Sequence, residues 1–307
     1  MKILLTGGSG FVGGHVLRRL ARDPGLHVTA LVRPSTRPPE GADARVSADL
    51  SRPETLDGVC DGMDVVLHCA SYVGADPTLC EAVNARGTTV LSRQARAAGV
   101  GHMLSMSTAA VYGRGPHHLR TPDEGTPAPV SHTSATRLAG ERAVLAAGGV
   151  VLRPVFMYGT GDRWFVPGLI RQLRDIPHVL NDGTARLSMI SADDLSRVVT
   201  AYVRDPRRLP GPAVHHAGHR EPVRAGDLIT MLASGLGLPL LSPGMSLDEA
   251  EDSVGVLTPW ASRQLSLTAL DHWFHSDALW SALALDPGPT ADRDLIRHLP
   301  WYRRFVT

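Results

Sequence analysis

Apolar residues alternate between two patterns along the first half of the chain. Short apolar runs recur at Lys2-Ile3-Leu4-Leu5, His27–Val32, Arg45–Ala48, Asp64–His68 and His102–Met106. Each reads as a strand buried on both faces. Between them lie stretches with helical spacing: Phe11 to Arg22, apolar at Val12, Val16 and Leu20, then Thr78 to Ala98, then a helix starting near Ser131. Strands alternating with helices predict an α/β fold, a doubly wound parallel sheet with helices on both faces. Ala213–Ala217 reads as a later strand that returns to this sheet. Trp164 to Arg174 reads as an apolar–basic helix that opens a second lobe. From Glu221 onward, Pro239, Pro243 and Pro259 break the chain into short helices and loops. The expected division is a sheet domain over 1–160, joined by about 190–220. A smaller, mostly C-terminal lobe takes 161–189 and 221–307. Trp260, Trp273, Phe274 and Trp280 fall in that lobe, where they either pack its core or stack on a flat substrate.

Composition narrows the class. At 307 residues the chain is long enough for one large core and a smaller lobe. Its formal charge of +1 argues against nucleic-acid binding. No apolar run reaches membrane-spanning length. The N-terminal apolar stretch ends after Leu5, too short for a signal peptide, so a cytoplasmic protein with no membrane partner is expected. Cys60, Cys69 and Cys80 form no CxxC pattern and read as small, buried or half-buried side chains. His215-His216-x-x-His219 invites a metal reading, but it sits at a strand end with no cysteine or paired carboxylate nearby, so no metal is expected.

The candidate chemistry gathers at strand ends. Thr6-Gly7-Gly8-Ser9-Gly10-Phe11-Val12-Gly13 joins the first strand to the first helix. Gly7 permits a tight turn, Gly10 lets backbone approach a pyrophosphate, and Gly13 lets helix pack on sheet. The helix N-terminus, with Ser9, Phe11 and Val12 beside it, would meet the negative charge. At the end of the second strand no carboxylate is present to hold a ribose 2′-hydroxyl. Arg33, Ser35 and Arg37 stand there instead, and a guanidinium fork suits a 2′-phosphate. NADPH is therefore the expected cofactor. Asp49, followed by Leu50, could accept an adenine amino group. Ala70 and Ser71 are small enough to let a cofactor pass, and Ser107 follows the fifth strand. Arg114 to Val130 is rich in proline and glycine and long enough to cover a site.

Together these segments resemble the extended short-chain dehydrogenases/reductases. The matching pieces are TGGSGFVG at 6–13, Asp49-Leu50, HCAS at 68–71, NARGT at 84–88, STAAVYG at 107–113 and LRPVFMYG at 152–159. Asp193-Asp194-Leu195 and LPWYRRF at 299–305 fit as well, so the likeness runs over nearly the whole chain. It implies a Rossmann-type sheet and an NADP-linked oxidoreductase. Pro154, Phe156 and Met157 would then pass the nicotinamide ring, and Thr108 would be the catalytic hydroxyl of the motif's serine or threonine.

One departure dominates. The family's reaction uses a tyrosine and a lysine four residues apart on one helix. Counting back from Glu141, which fits the family's trailing glutamate, those positions hold Arg137 and Thr133. No register shift restores the pair, because Lys2 is the chain's only lysine. A threonine hydroxyl is a far weaker acid than a tyrosine of pKa ~10, while Arg137 can still bond a nicotinamide ribose. A positioned general acid is worth about 10² to 10⁴ in rate. Holding hydride donor beside acceptor is worth about 10⁵ M or more in effective concentration. Catalysis can therefore survive on another proton source. Candidates are a water held by Thr108 or Thr133, or His132, His117 or His118. The favoured one is the substrate, since a ketone beside a phenol carries an internal hydrogen bond. This loss of both residues is similar to the atypical angucyclinone-reducing ketoreductases of simocyclinone-type antibiotic biosynthesis. The resemblance implies an NADPH-dependent ketoreductase acting on an aromatic polyketide. The rival is a non-catalytic NADP(H)-binding redox sensor. A nucleotide-sugar epimerase or dehydratase would lean on the missing tyrosine.

Overall fold

The computed structural model describes residues 1–34, 36–239, 242–253 and 259–306. Its centre is a sheet of seven parallel strands. Their spatial order is Ala213–Ala217, Val150–Pro154, His102–Met106, Val65–His68, Lys2–Thr6, His27–Val32 and Ala44–Ser47. Strand order reverses between the first strand and Val65–His68, where a doubly wound sheet opens a crevice beyond its carboxyl ends.

Alternate side chains serve the two faces, as the period-two geometry of strands requires. Ile3, Leu5, Val65, Leu67, Leu104 and Leu152 pack beneath the helices Phe11–Leu20 and Ala192–Arg204. Leu4, Val66, Met103 and Val151 pack on the other face, with Leu91 and Val144 from the helices Thr88–Ala97 and His132–Ala146. Val12, Val16 and Leu20 are buried, as their spacing predicts. Cys60 and Cys80 are buried and Cys69 is half-buried, all free thiols.

The segment expected as one helix from Thr78 is three joined pieces. Pro77–Cys80 is α-helical, Glu81–Gly87 is a π-helical turn, and Thr88–Ala97 is α-helical again. Close packing explains the need for glycine here. A Cβ on Gly87 would lie 2.4 Å from the carbonyl oxygen of Leu50, and one on Gly140 would lie 2.4 Å from that of Asn84.

A second core gathers Phe156, Tyr158, Leu169, Leu187, Leu228, Leu295 and Tyr302. The lobe division expected from the sequence is crossed in both directions. Phe156 and Tyr158 belong to this second core, whereas Leu279, Trp280 and Leu283 join the core of the large sheet. Trp280 is fully buried and its indole N–H donates to Gly218 O at 2.7 Å. Phe274 is likewise buried, and Trp273 stacks on His118 at 4.1 Å between centroids. These aromatics therefore pack within the protein. The side chain of Trp260 lies outside the described residues.

The stretch from Arg114 to Val130 is not an untethered cover. Its strand His117–Leu119 pairs with His272–Phe274 in a four-stranded sheet of the smaller lobe.

Candidate active site

The glycine-rich turn leaves the first strand at Thr6. Gly7 has φ +74°, and a Cβ there would lie 2.6 Å from Ala70 N. Any side chain would collide with the backbone of the neighbouring strand end. A Cβ on Gly13 would lie 2.2 Å from Gly7 O, so helix and turn touch directly. Gly10 precedes the helix in extended conformation and provides no side-chain cap. The first helical N–H groups are thus left for an anion, the arrangement that binds a pyrophosphate. Ser9 and Gly10 are exposed at this end and Phe11 is half-buried. The Val12 side chain points into the core, leaving only its backbone for a ligand.

A buried polar chain fixes the floor of the crevice. Thr6 Oγ1 bonds His68 Nδ1 at 2.7 Å and accepts the N–H of Ala70 at 3.1 Å. The other ring nitrogen of His68 meets Thr88 Oγ1 at 2.9 Å. Burial, with the positive charge of Arg137 nearby, pushes the His68 imidazole down to about 4, so it is neutral at pH 7.

The five sequence-predicted positions at strand ends do fall along one edge. Arg33 and Arg37 are exposed after the second strand, and their guanidinium groups make no hydrogen bond or ion pair among the described residues. Ser35 lies outside the described residues. Asp49 is half-buried, and its Oδ1 accepts from both the backbone N–H and the hydroxyl of Ser51 at 2.9 and 2.8 Å. Much of that carboxylate is thus engaged in its own turn. The Leu50 side chain is buried in the core. Ser71 Oγ is buried without a hydrogen-bond partner. It borders a cavity of about 20 Å³ shared with His68, Asn84, Ser107, Arg137 and Glu141, enough for about one water molecule.

The helix His132–Ala146 brings its altered positions to this edge. Ser131 caps it, accepting from Ser134 N at 3.1 Å. One guanidinium nitrogen of Arg137 donates to Met106 O and Ser107 O at 2.9 and 2.7 Å. Burial lowers the Arg137 pKa to about 10, opposed by Glu141, so the group is still a cation at pH 7. One turn earlier, Thr133 donates to Gly74 O at 3.5 Å and touches Cys80 Sγ at 3.5 Å. Thr108 is half-buried and caps the next short turn, accepting from Ala110 N at 3.2 Å.

The other predicted cofactor residues are packed into the protein. Phe156 stacks on Phe165 at 4.6 Å inside the smaller lobe's core, which occupies its ring. Met157 packs against the large sheet's core, and Pro154 is buried at the end of its strand. Of the alternative proton donors, His132 and His118 are exposed, and His117 packs near Tyr112 and Phe274. Among the described residues no group of three or more His, Cys, Asp or Glu is arranged to hold a metal ion. None of their helices is long and apolar enough to cross a membrane.

Sequence reading alone missed a buried network beneath the site. Arg153 pairs with Glu141, Nη2 to Oε2 at 2.6 Å, and donates to the Tyr112 hydroxyl at 2.7 Å. Ser107 donates a short hydrogen bond to the same carboxylate, and Tyr112 meets His216 Nε2 at 2.9 Å. An arginine inside an apolar strand was the available signal, since such a cation is buried only when paired. Burial raises the Tyr112 phenol, partly opposed by Arg153, and lowers His216 to about 4.

These features define a dinucleotide-binding oxidoreductase: a doubly wound sheet, a glycine cradle at its switch point and a hydroxyl-bearing helix beside the crevice. The comparisons agree. The NAD dependent epimerase/dehydratase family matches residues 3–218. The chain belongs to that family, the extended short-chain dehydrogenases/reductases. It is 32% identical over 256 residues to a 4-hydroxy-2-methyl-3-oxo-4-farnesyl-3,4-dihydroquinoline-1-oxide ketoreductase of Stigmatella aurantiaca, covering 78% of this chain and 74% of that one. It is 28% identical to a 2-alkyl-3-oxoalkanoate reductase of Stenotrophomonas maltophilia, covering 81% and 80%. Among solved structures, a dTDP-glucose 4,6-dehydratase from Streptomyces venezuelae with bound NAD superposes with a TM-score of 0.75 at 21% identity, covering 99% and 97%. Members of this family bind NAD(P), and this chain is an oxidoreductase.

Proposed function

We propose that the protein is an NADPH-dependent ketoreductase that reduces a ketone on an aromatic polyketide of angucyclinone type. The observation that carries this reading is the combination of an intact cradle with an altered helix. Gly7 meets Ala70 too closely for any side chain, and the helix end at Gly10 is uncapped. Beside that cradle the usual phenol and amine are replaced by Thr133 and Arg137. A relative sharing 32% identity is named as the ketoreductase of a 3-oxo-dihydroquinoline oxide, a bicyclic ketone, which supports a ring ketone as the substrate here.

The residues present fit the cofactor. The glycine turn and the first N–H groups of the helix Phe11–Leu20 would hold the pyrophosphate. Arg33 and Arg37, their guanidinium groups free of partners among the described residues, would grip a 2′-phosphate. The partnerless Ser71 Oγ would gain a hydrogen-bond partner at the wall of the crevice. When bound, reduced nicotinamide supplies a hydride. Thr108 offers a hydroxyl to the ketone oxygen. Arg137 holds the carbonyls of Met106 and Ser107 and with them the end of their strand. Thr133 is too weak an acid to deliver a proton. A phenol on the substrate itself, hydrogen-bonded to the adjacent carbonyl, would polarise that carbonyl and share the developing charge.

The test is a panel of polycyclic aromatic ketones with and without a neighbouring phenol. Ketones bearing the phenol should be reduced at least about tenfold faster, the effect of roughly one hydrogen bond in the transition state. Equal rates would contradict the substrate's part in polarisation. Binding of NADPH without turnover of any ketone would favour a redox sensor.

A further inference from the structure

The chain holds five tyrosines. Four are buried and bonded through their hydroxyls: Tyr112 to Arg153, Tyr158 to Asp294, Tyr202 to Met103 O, and Tyr302 to Asp162. Tyr72 differs. It is half-exposed, and its hydroxyl makes no hydrogen bond among the described residues.

Its position is fixed by its backbone. Tyr72 N donates to Asn84 Oδ1 at 2.8 Å, and Asn84 Nδ2 donates back to Tyr72 O at 3.0 Å. Asn84 sits in the π-helical turn Glu81–Gly87. Such turns re-aim individual side chains and recur at functional sites. The Tyr72 ring folds over Gly74, where a Cβ would lie 2.5 Å from the phenol oxygen. Gly74 is also the residue whose carbonyl accepts from Thr133 at 3.5 Å. Two hydroxyls therefore converge on one glycine. One belongs to the position that lacks the helix tyrosine, the other to a free phenol one residue beyond Ser71 at the crevice wall.

We propose that Tyr72 is a catalytic residue, its phenol replacing the one missing from the helix. This rests on the ketoreductase reading above. As the carbonyl carbon gains the hydride that a reduced nicotinamide supplies, the C=O π pair moves to oxygen. That oxygen takes the proton of Tyr72 Oη, and the half-exposed phenolate regains a proton from water. The oxygen becomes an alkoxide with three lone pairs: the substrate phenol and Thr108 hydrogen-bond to two, and Tyr72 delivers its proton to the third. Asn84 acts as a positioning residue through the Tyr72 backbone.

The test compares Y72F with the wild-type protein in two assays. Without nucleotide, affinity for a polycyclic aromatic ketone, read by tryptophan fluorescence, should weaken about five- to tenfold, the effect of one hydrogen bond. With NADPH, kcat should fall about 10²-fold or more, while the Kd for NADPH and the melting temperature stay within error. A second variant, G74A, crowds the phenol without removing it and should also lower kcat at unchanged NADPH affinity. Y72F within twofold of wild type in both assays would overturn the assignment while leaving the reductase intact. A wild-type protein that binds NADPH but reduces no ketone would overturn the reductase reading, and the proton transfer with it.

Discussion

Glu141 and Arg153 face each other across the seam between helix and sheet, their charged groups 2.6 Å apart and both side chains almost completely buried. Removing one partner leaves the other charge buried and unpaired. E141Q should therefore cost about 3–5 kcal/mol of stability, measured by urea denaturation against wild type. Because Ser107 also bonds this carboxylate, the variant should disturb the crevice as well. A loss below about 1 kcal/mol, the range of exposed pairs, would show that the pair is not load-sharing as its burial demands.

Gly7 tests the cradle. Its φ of +74° and its 2.6 Å clearance to Ala70 N leave no room for a methyl group. G7A should lose at least about 1–3 kcal/mol from backbone strain and weaken NADPH binding more than tenfold. Isothermal titration alongside thermal melts separates the two effects. An unchanged Kd would place the cofactor elsewhere.

Arg33 and Arg37 test the choice of nucleotide. A hydrogen bond to a charged group is worth about 1.5–3 kcal/mol. Replacing both with alanine should therefore weaken NADPH binding by roughly 10- to 100-fold, with NADH affinity nearly unchanged. Equal losses for both nucleotides would mean these arginines do not read the 2′-phosphate.

His68 and His216 set a pH limit. Burial holds both down to about 4, below the ordinary value of 6.5. The unfolded chain takes up protons first as pH falls. Stability is thus full above pH 6.5, declines through the window down to about 4, and levels off below it. Each histidine contributes a slope of about 1.4 kcal/mol per pH unit within that window. Denaturation at pH 7.5, 6, 5 and 4.5 should show the decline. H68N should reduce its slope, and a profile flat from 7 to 4.5 would contradict the buried neutral state.

Much of the sheet was legible because each parallel strand needs apolar residues on both faces. His27–Val32, His102–Met106 and Ala213–Ala217 form strands over the residues their patterns mark. The glycine turn was legible for a similarly local reason, as close approaches exclude side chains. What stayed hidden depends on distant partners. His117–Leu119 becomes a strand only by pairing with His272–Phe274. The hydrogen bonds of Tyr112 to Arg153 and His216 join the short helical turn Ala109–Tyr112 to two separate strands. The stacking of Phe156 on Phe165 was hidden for the same reason. Tyr72 carries no local signal at all. Its distinction emerges only once the other four phenols are seen to be occupied.

The most direct measurement follows NADPH consumption and alcohol formation together in one vessel, with purified protein and a polycyclic aromatic ketone. One alcohol should appear for each NADPH oxidised, over many turnovers, by a chain with no lysine in its active site. Tight NADPH binding with no alcohol from any ketone in the panel, or no affinity for NADPH at all, would contradict the account.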